Sequence, residues 1–472
     1  NESLELIPGA ATHWESSPDG RRWTFHLRPT AKWSDGRPVT AHDFEFSWKR
    51  FLSPDVASAF AFYYYDLKGA QAYNQGAEKD PATVGVYAVD DVTLVIETTD
   101  PCPYLPYITA FPGSGPVPPW QVRKYGRRWS DAETFASNSS FTLTEWIKGQ
   151  RATVSLNPFY DGPNKGYLEK IIQIFTEGTQ GLAPYENNEI DWMPVDVTDL
   201  AYIDSDPDLS RQVVKYPVPG TWFLFFQTRM PPFDNMKVRQ AISHAIDREA
   251  ICKVVLRDTA VPAYTMLPSG FPGTSAESLK DIQRYDPTLA RQLMAEAGYP
   301  NGAGFPRVQF WIGAGGAAIR MLCQAVQSML QENLGIAVDI NATDDKMYRD
   351  NMFKMTIPMG FGTFGVDYPD PNNLLAQVWH SQEPGFGRQD WRNSTFDRLV
   401  DTAAFEMNSA NRMQMYRDAE RILVEEAGGV FLVHPLNLEL RKPWLKGLKI
   451  NKSGYSYFTW DNSVHTNMYI AR

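Results

Sequence analysis

Alternating apolar and polar positions give the chain a β-rich start. Arg22-Trp23-Thr24-Phe25-His26-Leu27-Arg28 repeats with period two, which predicts a half-buried strand, and Asp35-Gly36 marks a tight turn. A helix then opens at Thr40, with Asp43 three residues on as in a capping box and Phe44, Trp48 and Phe51 as its apolar stripe. His42 and Asp43 are adjacent on that helix and do not face each other, so the pair reads as helix-start chemistry rather than catalysis. Residues 58–73 have a helix-like pattern so rich in rings (Phe60, Phe62, Tyr63, Tyr64, Tyr65) that one face cannot bury them all, and one or two are expected to line a cavity. A strand follows over 92–97. The prolines between Pro101 and Pro119 mark a domain crossing.

Strands are predicted over 141–146, 152–156 and 170–175, and a helix ends in the stretch 186–191. Thr221-Trp222-Phe223-Leu224-Phe225-Phe226 is nearly all apolar, as in a central strand covered on both faces. After Pro231-Pro232-Phe233 the periodicity turns helical, over 236–255, 288–297, 317–333 and 393–407, and we place a second boundary there. The last thirty residues, with Trp444, Tyr455, Tyr457, Phe458 and Trp460, read as short strands returning to an earlier sheet.

One stretch breaks these patterns. Between Met359 and Leu375 the chain reads MGFGTFGVDYPDPNNLL, a strand pattern interrupted by Gly360, Gly362 and Gly365. Glycine weakens a strand unless a ligand or another backbone comes close, so the spacing predicts an approached surface. Asp367 stands at its end, before Pro369 and Pro371, which halt any ladder and stiffen the turn. Two readings stay open: Asp367 or Asp370 caps the helix starting near Asn372, or Asp367 is aimed at a guest.

Composition narrows the classes. The 472 residues exceed one core and suggest roughly three structural units. A 43% hydrophobic and 21% charged make-up is that of a folded soluble chain. The net charge of −10, with no run of basic residues longer than a pair, argues against nucleic-acid binding. Aromatic residues reach 13%, which favours recognition of something partly apolar. Cys102, Cys252 and Cys323 lack metal-type spacing, and an odd count leaves at least one unpaired.

Catalytic signatures are missing. The seven histidines have no zinc-like spacing, and neither a GxSxG elbow nor a phosphate-binding loop occurs. Asp367 and Asp370, separated by a proline, do not flank one scissile bond as glycoside hydrolysis needs. A strand at 308–312 followed by Gly313-Ala314-Gly315-Gly316-Ala317-Ala318, with Asp339 downstream, formally matches a dinucleotide fingerprint. It lies late in the chain, and Arg320 and Met321 follow where a closely packed helix wants small residues. We therefore expect no cofactor and no metal. His434, in the apolar segment Leu432-Val433-His434-Pro435, reads either as a satisfied core histidine or as a ligand contact. What remains describes a binder.

Four separated blocks carry a resemblance: AATHWESSPDGRRWTFHLRPTAKWSDGRPVT from Ala10, PPFDNMKVRQAISHAIDREAI from Pro231, ARQLMAEAGYPNG from Ala290, and VDYPDP. In this order the chain resembles the peptide-class solute-binding proteins of ABC importers, the oligopeptide- and dipeptide-binding group of bacterial extracellular solute-binding protein family 5. The resemblance implies an α/β, two-lobed periplasmic-binding-protein-like fold of type II with an extra domain on the first lobe. It implies residues 1–117 as the extra domain, 118–227 with 441–472 as the first lobe, and 228–440 as the second.

Function is implied with the fold: capture of an oligopeptide between lobes and delivery to the transmembrane subunits of an ABC permease. The implied protein is a monomer without catalysis, in the periplasm or on the outer face of the cytoplasmic membrane, free or lipid-anchored. The same fold binding an oligosaccharide or an opine-like conjugate is the alternative, and a glycoside or peptide hydrolase a more distant one. Asp367 occupies the position of the acid that pairs with a peptide's ammonium. Thr363, Phe364 and Gly365 lie on the edge that the peptide joins, Tyr368 flanks the acid, and Phe60, Phe223 and His434 match further lining positions. An arginine that clamps the peptide carboxylate in some relatives is matched by Phe361, a pair of cysteines by Gly220 and Gly365, and a lining tryptophan is replaced near Asp345. The family also carries about fifty residues ahead of the position of Asn1, with a strand of the first lobe and a segment that pairs with the peptide.

Overall fold

A computed structural model describes residues 5–163, 165–175, 181–383, 389–447 and 467–471. The chain divides into two units, one formed by the described residues up to Met193 and from Arg441 onward, the other by Pro194–Leu440. Among the described residues no helix is long and apolar enough to cross a membrane.

The first unit holds an antiparallel sheet in the order Ala11–Ser16, Arg22–Leu27, Thr93–Glu97, Val86–Asp90. Trp23, Phe25 and Leu27 are buried in it while the residues between them are not, which is the predicted alternation. The helix Ala41–Leu52 begins with a complete capping box at Thr40 and Asp43. The Asp43 carboxylate accepts from the Thr40 amide at 3.0 Å and from the Trp33 indole at 3.1 Å, while Trp48 donates to the Ser114 carbonyl at 2.9 Å. A second antiparallel sheet runs Phe141–Ile147, Arg151–Leu156, Lys170–Ile174.

The ring-rich segment is not one helix. It forms a short 3-10 turn, Ala61–Tyr64, and a separate helix, Ala70–Asn74, parted by Gly69 in the left-handed region at φ 71°. A side chain on Gly69 would strike the Thr83 carbonyl, so the loop's approach fixes the break. Tyr63 and Tyr64 go inward, whereas Phe60 stays exposed.

The second unit is built on a sheet in the order Ala260–Pro262, Gly429–Arg441, Gly220–Phe226, Met359–Gly365, Val308–Ile312, Val338–Ala342, with Val213–Pro217 pairing the far half of Gly429–Arg441. Gly220–Phe226 is central and antiparallel to both neighbours. Its faces are both covered, as its continuous apolar sequence requires. Leu224 and Phe226 join a core with Phe310, Val238, Ile242 and the buried stripe of the Ala317–Leu334 helix. Phe223, on the opposite face, meets Trp379 at 5.2 Å between ring centroids.

The predicted helix over 236–255 is divided. Met236–His244 ends, Asp247 caps a new start at the Ala250 amide, and a single π turn, Ile251–Val255, closes the segment. Arg248, buried at that restart, donates to the carbonyls of Ser243, Gln283 and Phe431, and so uses the broken helix end as a set of acceptors. In the C-terminal region, Leu445–Lys446 pairs with Tyr469–Ile470; Tyr455, Tyr457, Phe458 and Trp460 lie outside the described residues.

Candidate functional site

The glycines of the Met359–Gly365 strand have a cause other than a guest's backbone. In the pairing with Gly220–Phe226, Gly360 lies opposite Phe225 and Gly362 opposite Phe223. A Cβ on Gly360 would strike the Phe225 ring, and one on Gly362 would lie 2.6 Å from the Phe223 ring. The approaching surface is therefore a pair of phenyl rings folded across the neighbouring strand. Gly365 differs, since a Cβ there would meet only the Pro219 carbonyl at 3.9 Å, and the residue is exposed.

A prediction follows from the fixed Phe223 ring. Because Trp379 backs it and it is 4% exposed, it cannot retreat from an added methyl. Gly362→Ala is expected to lower stability by about 1–3 kcal/mol, read as a drop in thermal unfolding midpoint. Gly365→Ala is expected to leave the midpoint nearly unchanged, and equal midpoints for both variants would refute the ring account.

On its other side the strand is only partly covered. Val308–Ile312 pairs with it in parallel at Phe310–Met359 and Trp311–Gly360, and no described strand continues that pairing past Gly360. Tyr348, on the helix Asp345–Phe353, donates to the Phe361 carbonyl at 2.6 Å. A pocket of about 270 Å³ opens beside this stretch, entirely within the second unit. Phe223, Thr363 and Phe364 line it together with Phe361, Tyr348 and the exposed Arg349. Three of the sequence-predicted site residues are thus brought to one cavity.

Past the strand, the two acids take different parts. Asp370 is the cap of the helix Pro371–Trp379, its carboxylate accepting from the Asn372 amide at 2.9 Å, and it is buried. Asp367 does not cap that helix. It is half-buried, and its backbone amide donates to the Asn373 Oδ1 at 2.9 Å. Tyr368 is turned inward, 2% exposed, with its hydroxyl on the Asn372 side-chain oxygen at 2.7 Å.

His434 is 6% exposed, and its Nδ1 lies 3.0 Å from the Thr221 hydroxyl and 3.1 Å from the Gly220 carbonyl. Burial pushes the imidazole down to about 4, which keeps it neutral near pH 7. It serves as an internal tie of the sheet at the Gly220 end. Phe60 belongs to the first unit, where it is 48% exposed and packs on Phe111 at 5.6 Å. Among the described residues, no group of three or more His, Cys, Asp or Glu could hold a metal ion, and the three cysteines are buried thiols.

Two residues near the site escaped the sequence reading. Asn373 is fully buried, with Nδ2 lacking an acceptor among the described residues, because its oxygen is turned to the Asp367 amide. Arg412, on the helix Ser409–Glu425, forms a buried two-point ion pair with Asp370, Nη1–Oδ2 at 2.6 Å and Nη2–Oδ1 at 2.7 Å. The available signal was polar side chains at inward helical positions, Arg412 standing one turn before Tyr416.

The α/β sheet with a lined pocket along its Met359–Gly365 strand has the fold of the two-lobed periplasmic binding proteins. The chain belongs to the bacterial extracellular solute-binding proteins, family 5 Middle, whose profile matches residues 5–386. It is 30% identical over 457 residues to the periplasmic murein peptide-binding protein MppA of Escherichia coli, covering 96% of this chain and 84% of that protein. The solved structure of the E. coli murein tripeptide binding protein MppA superposes with a TM-score of 0.79 over all of this chain and 91% of the other, at 29% identity. The oligopeptide-binding protein OppA of Bacillus subtilis is 28% identical over 468 residues, 97% of this chain and 85% of that protein. Haemophilus influenzae OppA in complex with RPPGFSPFR gives a TM-score of 0.76 at 27% identity, over 99% and 91% of the two chains.

Proposed function

We propose that this protein is the extracytoplasmic receptor of an ABC importer, that it captures oligopeptides, and that it passes them unchanged to the permease's transmembrane subunits. It acts as a monomer in the periplasm or at the outer face of the cytoplasmic membrane, and residues 1–117 form the extra domain of its first lobe. The observation that carries the reading is Asp367: a half-buried carboxylate at the end of a strand whose far edge β pairing leaves after Gly360. An extended peptide adds to such an edge through its main chain, which gives affinity that tolerates many sequences. A terminal ammonium meeting a fixed carboxylate supplies the charge-assisted contact that sets register.

In this reading Thr363, Phe364 and Gly365 flank the guest, Phe223 walls the pocket that takes a side chain, and Tyr368 and His434 hold the frame from within. Phe60 remains a candidate ring contact on the first unit.

Titration calorimetry with Ala-Phe-Ala and its Nα-acetylated form tests the proposal. Acetylation removes the ammonium and is expected to weaken binding roughly 30-fold or more, the equivalent of about 2 kcal/mol. Equal affinity for the two forms, or the recovery of cleaved tripeptide, would overturn it.

A further inference from the structure

Asp367 is held by a polar scaffold with a cost to the fold. Turning the Asn373 oxygen to the Asp367 amide leaves Asn373 Nδ2 buried without an acceptor among the described residues. Leaving such a donor unpaired is unfavourable. The same helix turn carries a second polar investment. Asp370 caps it, donates its own amide to the Tyr368 carbonyl at 2.8 Å, and accepts the Asn373 amide on its carbonyl at 3.0 Å. The Arg412 guanidinium grips both oxygens of that aspartate, donates through Nε to the Ala403 carbonyl at 2.9 Å, and lies over the Tyr416 ring at 5.0 Å. Arg412 and Asp370 side chains are only 5% and 4% exposed.

A buried ion pair is weak evidence for stability, since an apolar pair of like volume often serves the fold as well. It is good evidence for a fixed geometry: two donors in a rigid fork and two acceptors allow one arrangement. That arrangement is transmitted in three short links, from Arg412 to Asp370, through the helix turn to Asn373, and from Asn373 to the Asp367 backbone. We infer that Arg412 is a positioning residue for the guest's ammonium, setting through Asp370 and Asn373 where the Asp367 carboxylate stands. The inference rests on the proposed role of Asp367 and adds the machinery that aims it.

A double-mutant cycle tests it. The variant R412M/D370N removes both charges together, so no lone buried ion is left, and the asparagine keeps an oxygen for the Asn372 amide. With Ala-Phe-Ala as probe, it is expected to bind about tenfold more weakly in the otherwise unchanged protein. In the Asp367→Ala background the same change should weaken binding less than about twofold, because the contact it positions is already gone. A general loosening of the fold would weaken binding equally in both backgrounds, and that result, or no loss in either, would overturn the inference.

Should the double variant not fold, Asn373→Leu decides the question in the same cycle. It is expected to lower affinity about fivefold only where Asp367 is present, and equal loss in both backgrounds refutes the scaffold. Asp367→Ala alone separates the two levels: unchanged affinity there overturns the anchor and with it this inference, whereas lost affinity with an additive cycle overturns the inference alone.

Discussion

Replacing Asp367 by alanine is expected to reduce affinity for a free-amine peptide by about 2–4 kcal/mol, roughly 30- to 1,000-fold, because the ammonium then loses its partner on leaving water. The lower end suits an acid that stays half-buried, and the upper end one that the bound guest seals from solvent. Asp367→Asn keeps an oxygen of the same reach but no charge, and is expected to fall between the parent and the alanine variant. The discriminating measurement is the matched titration of the acetylated peptide: Asp367→Ala should bind the two forms alike, while the parent separates them. A parent-like preference for the free amine in the alanine variant would move the anchor to another residue.

This expectation could be framed from the sequence, but the sequence left open whether Asp367 or Asp370 caps the helix that follows. Local chemistry made some elements legible. The Thr40–Asp43 capping box, the apolar run that became Gly220–Phe226 and the stripe of Ala317–Leu334 depend on neighbours within a turn or on burial of whole faces. The ring-rich segment after Ser58 was misread as a helix because its break comes from the Thr83 carbonyl crowding Gly69, a contact between distant parts of the chain. The helix Ser409–Glu425 went unpredicted because Arg412 and Glu420 face inward and interrupt the apolar stripe that would reveal it.

The glycine spacing of the Met359–Gly365 strand shows the limit most clearly. Missing side chains announced that something comes close, yet only the register of the Phe223 and Phe225 rings shows that most of the space is filled from within. Asp370 resolved the other ambiguity, since one buried aspartate both caps the helix and receives Arg412. Family resemblance names Asp367 as the acid. The scaffold around it is visible only in three dimensions.

Glu420 gives the second large effect, one of pH. It is fully buried on the same helix as Arg412, and its carboxylate accepts from the Leu267 amide at 2.8 Å and the Ser275 amide at 3.2 Å. The loop fastened in this way reaches the scaffold, because Gly273 lies against Pro371 and Met413. Burial outweighs the amide donors and pushes Glu420 from 4.5 up to about 8. An acid raised on folding holds a proton that the unfolded chain has released, so its stabilising share is complete below 4.5 and is lost as pH rises through 8. Over that whole range the loss amounts to roughly 5 kcal/mol at 1.36 kcal/mol per unit.

His434 works in the opposite direction, because an imidazole lowered from 6.5 to about 4 adds stability as pH rises between those values. The two nearly cancel from 4.5 to 6.5, and above 6.5 Glu420 titrates without that opposition. Between pH 6.5 and 8 the second unit is therefore expected to lose about 2 kcal/mol, a fall of roughly 4–8 °C in its thermal midpoint. Glu420→Gln cannot ionise and should hold its midpoint level across the window. A parent midpoint that stays constant there, or a glutamine variant that falls with it, would show that this carboxyl is not the group titrating across the window.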